Sequence, residues 1–412
     1  MLLVLVLCVV FQEVKLGMAG PLLSSAISGE AGEGTGLPFV QEYAVGMMLG
    51  LYALRLLVAG RDLSGAASAR KVAAGLCVWG TGVILVTVLL GVPVGEGSWG
   101  NVRMLVEGLI TFFIVSDLGW RRREVWLILV VFVLVACFHA MVVWLSYVNP
   151  SLLPFGVTVL DSGGDPRFSG LFLEPSRAGL VFAIAFVLAA ANVLDIELAR
   201  LVRVFWLVGL LVLGVGLLLT QTRGSLLAVA AGMVYLALAE KKLARVGLFV
   251  ATVGSGLFLW SGSSGVEIVR IGLSRFLADD SAGGGVGRLQ VYSFVGEMVA
   301  RYPLGSGAGA LFPESGAQGI PHAHNMYLQM AVMFGIPGAV LFLGFIVATV
   351  SSKGAASRSW SGVRSARTLV VLRAALLVNL VALMTEPLLI TSVGLWFWVI
   401  AGFMVSPSEG LH

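Results

Sequence analysis

The sequence has 412 residues, of which 58% are hydrophobic and only 12% carry a charge. Soluble domains carry about 25% charged residues, so this chain lacks the polar side chains needed to cover a water-soluble globule. Repeated apolar runs of about 18 or more residues instead predict helices that cross a bilayer. The predicted fold class is therefore an all-α polytopic membrane protein.

About twelve membrane-spanning helices are predicted in chain order. They lie near residues 1–14, 37–59, 72–92, 101–119, 124–148, 170–191, 202–219, 223–239, 243–260, 323–350, 368–386 and 388–406. The first run lacks the basic flank of a signal peptide and is interpreted as a short span. We predict a single membrane domain over residues 1–412, with a helical segment, residues 261–321, inserted between the ninth and tenth spans.

Basic residues are divided unevenly between the two sets of loops. One set holds 17 of the 26 lysines and arginines, which predicts that this side is cytoplasmic. Both termini are then cytoplasmic, and residues 261–321 face outward. The outward set holds the other nine: Lys15, Arg103, Arg167, Arg177, Arg223, Arg270, Arg275, Arg288 and Arg301.

Eight of these nine outward basic residues are arginine. The guanidinium group keeps its charge at any pH and binds phosphate oxygens through two parallel hydrogen bonds. The general excess of arginine over lysine in this chain, 21 to 5, explains part of the bias. The positions of the arginines are the stronger evidence. They indicate an anionic ligand beside the bilayer, and a phosphate head group is the first candidate.

The first outward group lies in "DPRFSGLFLEPSRAG", residues 165–179. Arg167 precedes the sixth span, and Glu174 and Arg177 lie just inside it, where charged side chains usually face a bundle interior or a water-filled cavity. Pro175 leaves a carbonyl of the preceding turn without its helical partner. The alternative interpretation is that Glu174 and Arg177 form an ion pair that only neutralises itself.

The second outward group is the turn between the seventh and eighth spans, "TQTRG". It predicts a compact set of donors at the membrane surface, formed by Thr220, Gln221, Thr222 and Arg223. In the alternative interpretation, Arg223 only extends to the lipid head groups.

The third outward group is the long segment itself, which is too long for a structureless loop. Residues 266–276 fit a helix lying at the membrane interface. A second amphipathic helix is predicted to open at Arg288 and to end before Pro303, and it also carries Arg301. Asp279–Asp280 could bind a divalent metal, although a solvated turn is the simpler interpretation.

The segment closes on "HAHN", residues 322–325, at the start of the tenth span. A lone histidine such as His139, inside the fifth span, is interpreted as a packing residue. His322 and His324 with Asn325 stand opposite several arginines and supply only two metal ligands, fewer than a zinc site needs. Histidine exchanges protons near neutral pH, so general-base catalysis suits this group better.

A lipid-linked diphosphate sugar would use these residues together. Displacement at its anomeric carbon needs an acceptor hydroxyl that loses its proton and a stabilised diphosphate leaving group. Histidine can take the proton, and arginines can hold the developing negative charge without a metal ion.

The motifs also resemble those of the O-antigen ligase and O-antigen polymerase superfamily of bacterial membrane glycosyltransferases. The ligase signature is H, then N, S or Q, nine residues and G-x-x-G, which His324–Asn325 and Gly335–Gly338 match. A second family element, R-x-x-x-L after an outer turn, is met by Arg223–Leu227. The span layout and the long outer segment extend the resemblance over most of the chain.

This resemblance implies a GT-C-like fold in the bacterial inner membrane with a periplasmic active site. It implies inverting, metal-independent transfer from an undecaprenyl-diphosphate-linked oligosaccharide, with no cofactor. By motif, His324 is the base and Arg223 and Arg288 bind the diphosphate. The substrate-binding candidates around them are Arg167, Glu174, Arg177, His322, Asn325 and Arg301.

Two enzymes and one transporter remain as alternatives. A polymerase adds glycan to a lipid-linked acceptor and could work with a chain-length regulator, whereas a ligase adds it to lipid A core. The "RFSGLFLEPSRAG" element favours the polymerase, and the H-N-x9-G-x-x-G match keeps the ligase close. A transporter of anions or lipid-linked sugars fits less well, because the sequence has no internal repeat. No nucleic acid partner is expected.

Overall fold

The computed structural model describes residues 68–90, 98–118, 120–149, 158–161, 166–172, 174–195, 197–240, 284–307, 323–352 and 363–406. Within these ranges there are ten α-helices and one two-stranded antiparallel hairpin. In chain order they are α1 (Ser68–Leu89), α2 (Ser98–Asp117), α3 (Arg122–Val148), β1 (Thr158–Asp161), β2 (Pro166–Gly170), α4 (Pro175–Val193), α5 (Arg200–Leu219), α6 (Arg223–Ala239), α7 (Gly284–Arg301), α8 (Met326–Val350), α9 (Val363–Ala382) and α10 (Leu395–Val405). Two 3-10 turns, Leu388–Ile390 and Ser392–Gly394, precede α10.

The helices fall where nine of the predicted spans lie, within a few residues at most ends. Five of them are long and apolar enough to cross a membrane, namely α1, α3, α4, α5 and α8, and α6 and α10 are shorter apolar helices. The protein is therefore a multi-pass membrane protein. The predicted spans at 1–14, 37–59 and 243–260 lie outside the described residues.

The structure departs from the predicted all-α pattern in two places. The sequence before the sixth span forms the hairpin β1–β2, so the helix begins at Pro175 rather than near residue 170. Proline suits this first helical position because its missing N–H needs no partner there. The twelfth predicted span begins as two 3-10 turns after Pro387, and its α-helix covers only Leu395–Val405.

The described residues divide into two compact units. The first comprises residues 126–222 of the described chain and contains most of α3, the hairpin, α4 and α5. Helix α4 is buried over most of its surface and packs along α5. Small residues permit this close packing, since a Cβ on Gly216 would lie 2.7 Å from the Cβ of Ala140 on α3.

The second unit comprises residues 61–125, 223–243 and 274–412 and is built from three helix pairs. Helix α6 packs on α9, α1 on α8, and α2 on α10. Its centre is aromatic, with the ring of Phe345 4.9 Å from Phe112 and 5.4 Å from Trp398. Edge-to-face and tilted ring contacts of this kind favour one packing arrangement.

Helices α2 and α10 approach each other at Gly108. A Cβ at this position would overlap the indole ring of Trp398, which is fully buried. Gly82, on α1, is the matched contrast, because a Cβ there meets nothing within 4 Å.

We therefore expect Gly108→Ala to destabilise the protein and Gly82→Ala to leave it unchanged or slightly more stable. Alanine raises helix propensity by about 1 kcal/mol at both sites, but overpacking at Gly108 costs about 1–3 kcal/mol. Thermal unfolding in detergent measures the difference. Equal thermal midpoints for the two variants would contradict the packing described for α2 and α10.

Candidate functional site

The H-N pair forms the beginning of helix α8. Asn325 is its N-cap, with extended backbone angles (φ −161°, ψ 121°), and its Oδ1 accepts hydrogen bonds from the backbone N–H groups of Tyr327 at 2.9 Å and Leu328 at 3.2 Å. These bonds satisfy two of the donors that a helix start leaves without partners. The asparagine of the motif is therefore the residue that starts α8.

The same short segment is joined to the turn that ends α9. The Nδ2 of Asn325 donates to the carbonyl of Met384 at 3.0 Å, and the backbone N–H of Met326 donates to the carbonyl of Leu383 at 2.8 Å. The hydroxyl of the next residue, Tyr327, donates to the carbonyl of Leu380 at 3.0 Å. Three hydrogen bonds thus hold the start of α8 against the end of α9.

This junction brings an acidic residue to His324. The Nδ1 of His324 lies 3.6 Å from Oε2 of Glu386, and the two side chains are 35% and 26% exposed. His324 has a φ of +48°, in the left-handed region that residues with a Cβ seldom adopt. A rare backbone conformation, a carboxylate partner and partial exposure therefore coincide at one residue.

Glu386 is not among the residues predicted from the sequence. It lies in "MTEPLLI", where a carboxylate stands immediately before a proline at the end of the eleventh predicted span. The same signal, a charged residue beside a proline at a span end, singled out Glu174 and Pro175. Glu386 went unnoticed because its short connection carries no arginine.

Arg223 lies at this end of the second unit as well. It is the first residue of α6 and is half-buried. The next residue, Gly224, packs so closely on the turn after α9 that a Cβ would overlap Oγ1 of Thr385. Because Thr385 immediately precedes Glu386, the R-x-x-x-L element begins beside the same turn that carries the partner of His324.

The G-x-x-G element has a structural role, because its first glycine interrupts α8. Gly335 interrupts α8 with left-handed φ (72°), and a Cβ there would overlap the backbone of Pro303 and Leu304. The N–H of Ile336 donates to the carbonyl of Pro303 at 3.0 Å, across the same gap. The break in α8 thus makes room for the turn that follows α7.

The carbonyls that the break releases are bonded by neighbours. The backbone N–H and the hydroxyl of Ser306 donate to the carbonyl of Val332 at 2.9 and 3.0 Å. The indole N–H of Trp79, on α1, donates to the carbonyl of Phe334 at 2.7 Å. These bonds replace the helical ones lost at the break, as a membrane interior requires.

Helix α7 confirms the predicted amphipathic helix, although it begins at Gly284 and not at Arg288. Val291 and Val295 are buried together with Ala323 and Val332. Arg288 lies near the start of the helix, and its side chain is outside the described part of the structure. Arg301 is exposed at the other end, with its guanidinium carbon 5.5 Å from the centre of the Tyr302 ring.

Three of the candidates lie in the first unit. Arg167, on β2, donates from Nε to the carbonyl of Thr220 at 3.4 Å. Arg177 pairs with Glu174, with Nε 3.5 Å from Oε2, so the ion pair that the sequence analysis gave as an alternative is present. Glu174 also accepts from the hydroxyl of Ser176 at 3.4 Å.

The turn that contains Thr220 differs from its prediction as a surface donor group. Thr220, Gln221 and Thr222 are buried, and the two threonine hydroxyls hydrogen-bond to each other. Thr220 also donates to the carbonyl of Leu217 at 2.8 Å. Buried polar groups need partners within the protein, so the threonine hydroxyls stabilise the turn before Arg223.

Other predictions fall partly or wholly outside the described residues. His322, Asp279–Asp280 and the interfacial helix at 266–276 are among them. His139 is described, and as predicted it is a packing residue: it is buried, with its ring 4.8 Å from that of Phe172.

Asn325 is hydrogen-bonded both to the start of α8 and to the turn after α9, and this leads to a prediction about thermal stability. Asn325→Asp keeps the oxygen that caps α8 but loses the donor to Met384, whereas Asn325→Ala loses both. The cap contributes about 1 kcal/mol and the second hydrogen bond about 1 kcal/mol. The thermal midpoint should therefore be highest for wild type, lower for Asn325→Asp and lowest for Asn325→Ala. An Ala variant as stable as wild type would contradict the role of Asn325 as the joint between α8 and α9.

Comparison with known proteins places these motifs in a family. Residues 207–343 match the family model described as O-Antigen ligase. The matched range covers about a third of the chain and includes Arg223 and the whole pattern from His324 to Gly338. A search of curated proteins finds no match. The match supports the resemblance that the motifs indicate: residues 207–343 are similar to the O-antigen ligase family, within the O-antigen ligase and polymerase superfamily.

Proposed function

We propose that this protein is a polymerase of O-antigen-type surface polysaccharide. It transfers an undecaprenyl-diphosphate-linked glycan to a hydroxyl of an acceptor sugar, at the periplasmic face of the inner membrane. The observation that carries this proposal is the position of His324. This residue lies just before α8, within the range matched by the family model, and is partly exposed. It lies beside the turn after α9, which also packs on the R-x-x-x-L element.

The reaction is a displacement with inversion at the anomeric carbon. His324 accepts the proton of the acceptor hydroxyl, and the oxygen forms its new bond on the face opposite the diphosphate. The bond from the anomeric carbon to the diphosphate breaks, and its electron pair stays on the diphosphate oxygen. Arg223 and Arg288 bind the diphosphate and stabilise this charge, so that no metal ion is required.

The remaining candidates have supporting roles in this proposal. Asn325 fixes the backbone that carries His324, and His322 and Arg301 contact the donor or acceptor from the periplasmic segment. Arg167, Glu174 and Arg177 bind glycan or phosphate. The donor reaches the site laterally from the bilayer, which suits a long isoprenoid tail, and a chain-length regulator is expected as a partner.

Two observations favour a ligase as the second candidate. The match to the H-N-x9-G-x-x-G pattern is complete, and the family model itself is described as O-Antigen ligase. Polymerase and ligase use the same donor and differ in acceptor. The "RFSGLFLEPSRAG" element, which forms β2 and the start of α4, is the reason for preferring the polymerase.

The purified protein should therefore extend glycan when it is given only a lipid-diphosphate-linked repeat unit. A ladder of longer lipid-linked products, resolved by gel electrophoresis, is the expected result. Product that forms only after lipid A core is added would favour the ligase, and no product in either case would contradict the proposal. A chelator should not change the yield.

His324→Ala should lower the rate in this assay by about 10²–10⁴-fold, the usual contribution of a general base. Expression and thermal midpoint should stay near those of wild type. His412→Ala, which changes a histidine at the end of the chain, is the matched control and should retain full activity. A near-normal rate for His324→Ala would show that another group takes the proton.

Arg223→Lys keeps the positive charge and removes the planar guanidinium. Because lysine cannot bind two phosphate oxygens in parallel, we expect about a tenfold lower kcat/KM for the donor. Arg200→Lys, at the exposed start of α5, is the control with the same chemical change. Full activity of Arg223→Lys would mean that only charge is needed at this position.

A further inference from the structure

We infer that Glu386 is the positioning residue for His324, a role that rests on the proposed function of His324 as the base. Glu386 lies outside the range matched by the family model, which ends at residue 343. The inference therefore depends on the geometry of this chain, in which Oε2 of Glu386 lies 3.6 Å from Nδ1 of His324.

The backbone on both sides of this pair is fixed. On one side, Asn325 and Met326 are hydrogen-bonded to the carbonyls of Met384 and Leu383. On the other side, the N–H of Glu386 donates to the carbonyl of Ala382 at 3.2 Å, which holds the turn on the last residue of α9. These hydrogen bonds thus fix the two backbone segments from which His324 and Glu386 extend toward each other.

The turn is fixed from a third direction by α6. Thr385 donates from its hydroxyl to the carbonyl of Ala382 at 2.9 Å and packs on Gly224 so closely that no side chain fits there. The first turn of α6, which begins with the charged Arg223, therefore lies against the residue immediately before Glu386. Both elements of the family pattern meet at the turn that holds this carboxylate.

The backbone of His324 shows that its position is imposed by its surroundings. A residue with a Cβ is strained in the left-handed region, and this conformation persists only where neighbouring contacts over-determine it. The hydrogen bonds of Asn325 and Met326 supply those contacts. Backbone strain of this kind is typical of residues at functional sites, and His324 is also partly exposed.

The carboxylate gives the imidazole the properties that a base needs. When Nδ1 carries its proton toward Glu386, Nε2 bears the lone pair and is the nitrogen that accepts the proton of the acceptor hydroxyl. The negative charge also stabilises the imidazolium that forms. The present distance exceeds that of a hydrogen bond, and such contacts commonly shorten when substrate binds.

A simple surface ion pair would behave differently. Such pairs contribute little to stability, and their removal does not affect chemistry elsewhere. A positioning residue instead changes the turnover rate while leaving donor binding intact. It also changes the reactivity of the histidine itself, and this change can be measured without any glycan substrate.

The test compares Glu386→Gln with Glu297→Gln, the same change at an exposed position on α7. We expect Glu386→Gln to lower kcat about 10–100-fold, the range found when the outer partner of a metal-bound histidine is lost, with the donor KM within about threefold. The double variant His324→Ala/Glu386→Gln should be no slower than His324→Ala, because residues that act as a unit are not additive. Glu386→Asp, which keeps the charge on a shorter side chain, should be intermediate.

A second readout is the rate at which diethyl pyrocarbonate acylates His324, followed by mass spectrometry at a pH where imidazole is neutral. Loss of the carboxylate removes the group that orients the imidazole with its proton on Nδ1 and its lone pair on Nε2, so the rate should fall severalfold in Glu386→Gln and stay unchanged in Glu297→Gln. Buried His139 should react slowly in every variant. Thermal midpoints confirm that each variant is folded.

The two readouts separate failure of this inference from failure of the proposed function. If wild-type protein transfers no glycan, the function is wrong, and acylation still tests whether Glu386 acts on His324. Unchanged acylation in Glu386→Gln, or slowed acylation with normal kcat, would overturn the inference. So would a double variant whose loss of activity is the product of the two single losses.

Discussion

The arrangement of the site depends on one side chain, Asn325. Its Oδ1 starts α8 and its Nδ2 holds the turn after α9, so a single amide joins two helices that are far apart in sequence. A helix start without such a cap would leave backbone donors unsatisfied. His324 is placed opposite Glu386 because its neighbour is bonded in this way.

Two glycines within the matched elements have separate structural roles. Gly224 lets α6 lie on Thr385, and Gly335 lets the turn after α7 dock on the broken backbone of α8. The contact at Gly224 lies next to Arg223. The contact at Gly335 fixes the end of α7, the helix that carries Arg288. Each glycine thus lies at a contact next to an element that carries one of the candidate arginines.

Much of the helix layout could be predicted from the sequence, because continuous apolar runs are sufficient evidence for spans. The position of α7 and its end before Pro303 followed from its amphipathic pattern. The hairpin before α4 was missed because its short strands lie in a polar stretch between two strong helix signals. Glu386 was missed for another reason: its importance lies in a contact with a residue 62 positions earlier, and no local pattern records it. The burial of Thr220–Thr222 likewise depends on packing within the unit, although their polar character suggested a surface turn.

The central claim is that His324 takes the proton of the acceptor while Arg223 binds the diphosphate. A structure of the protein with a non-transferable undecaprenyl-diphosphate glycan analogue tests it most directly. The account predicts the anomeric carbon within about 6 Å of Nε2 of His324, with room between them for one hydroxyl oxygen, and the diphosphate in contact with Arg223. An analogue bound in the first unit beside Arg167, or with its sugar facing away from His324, would contradict it.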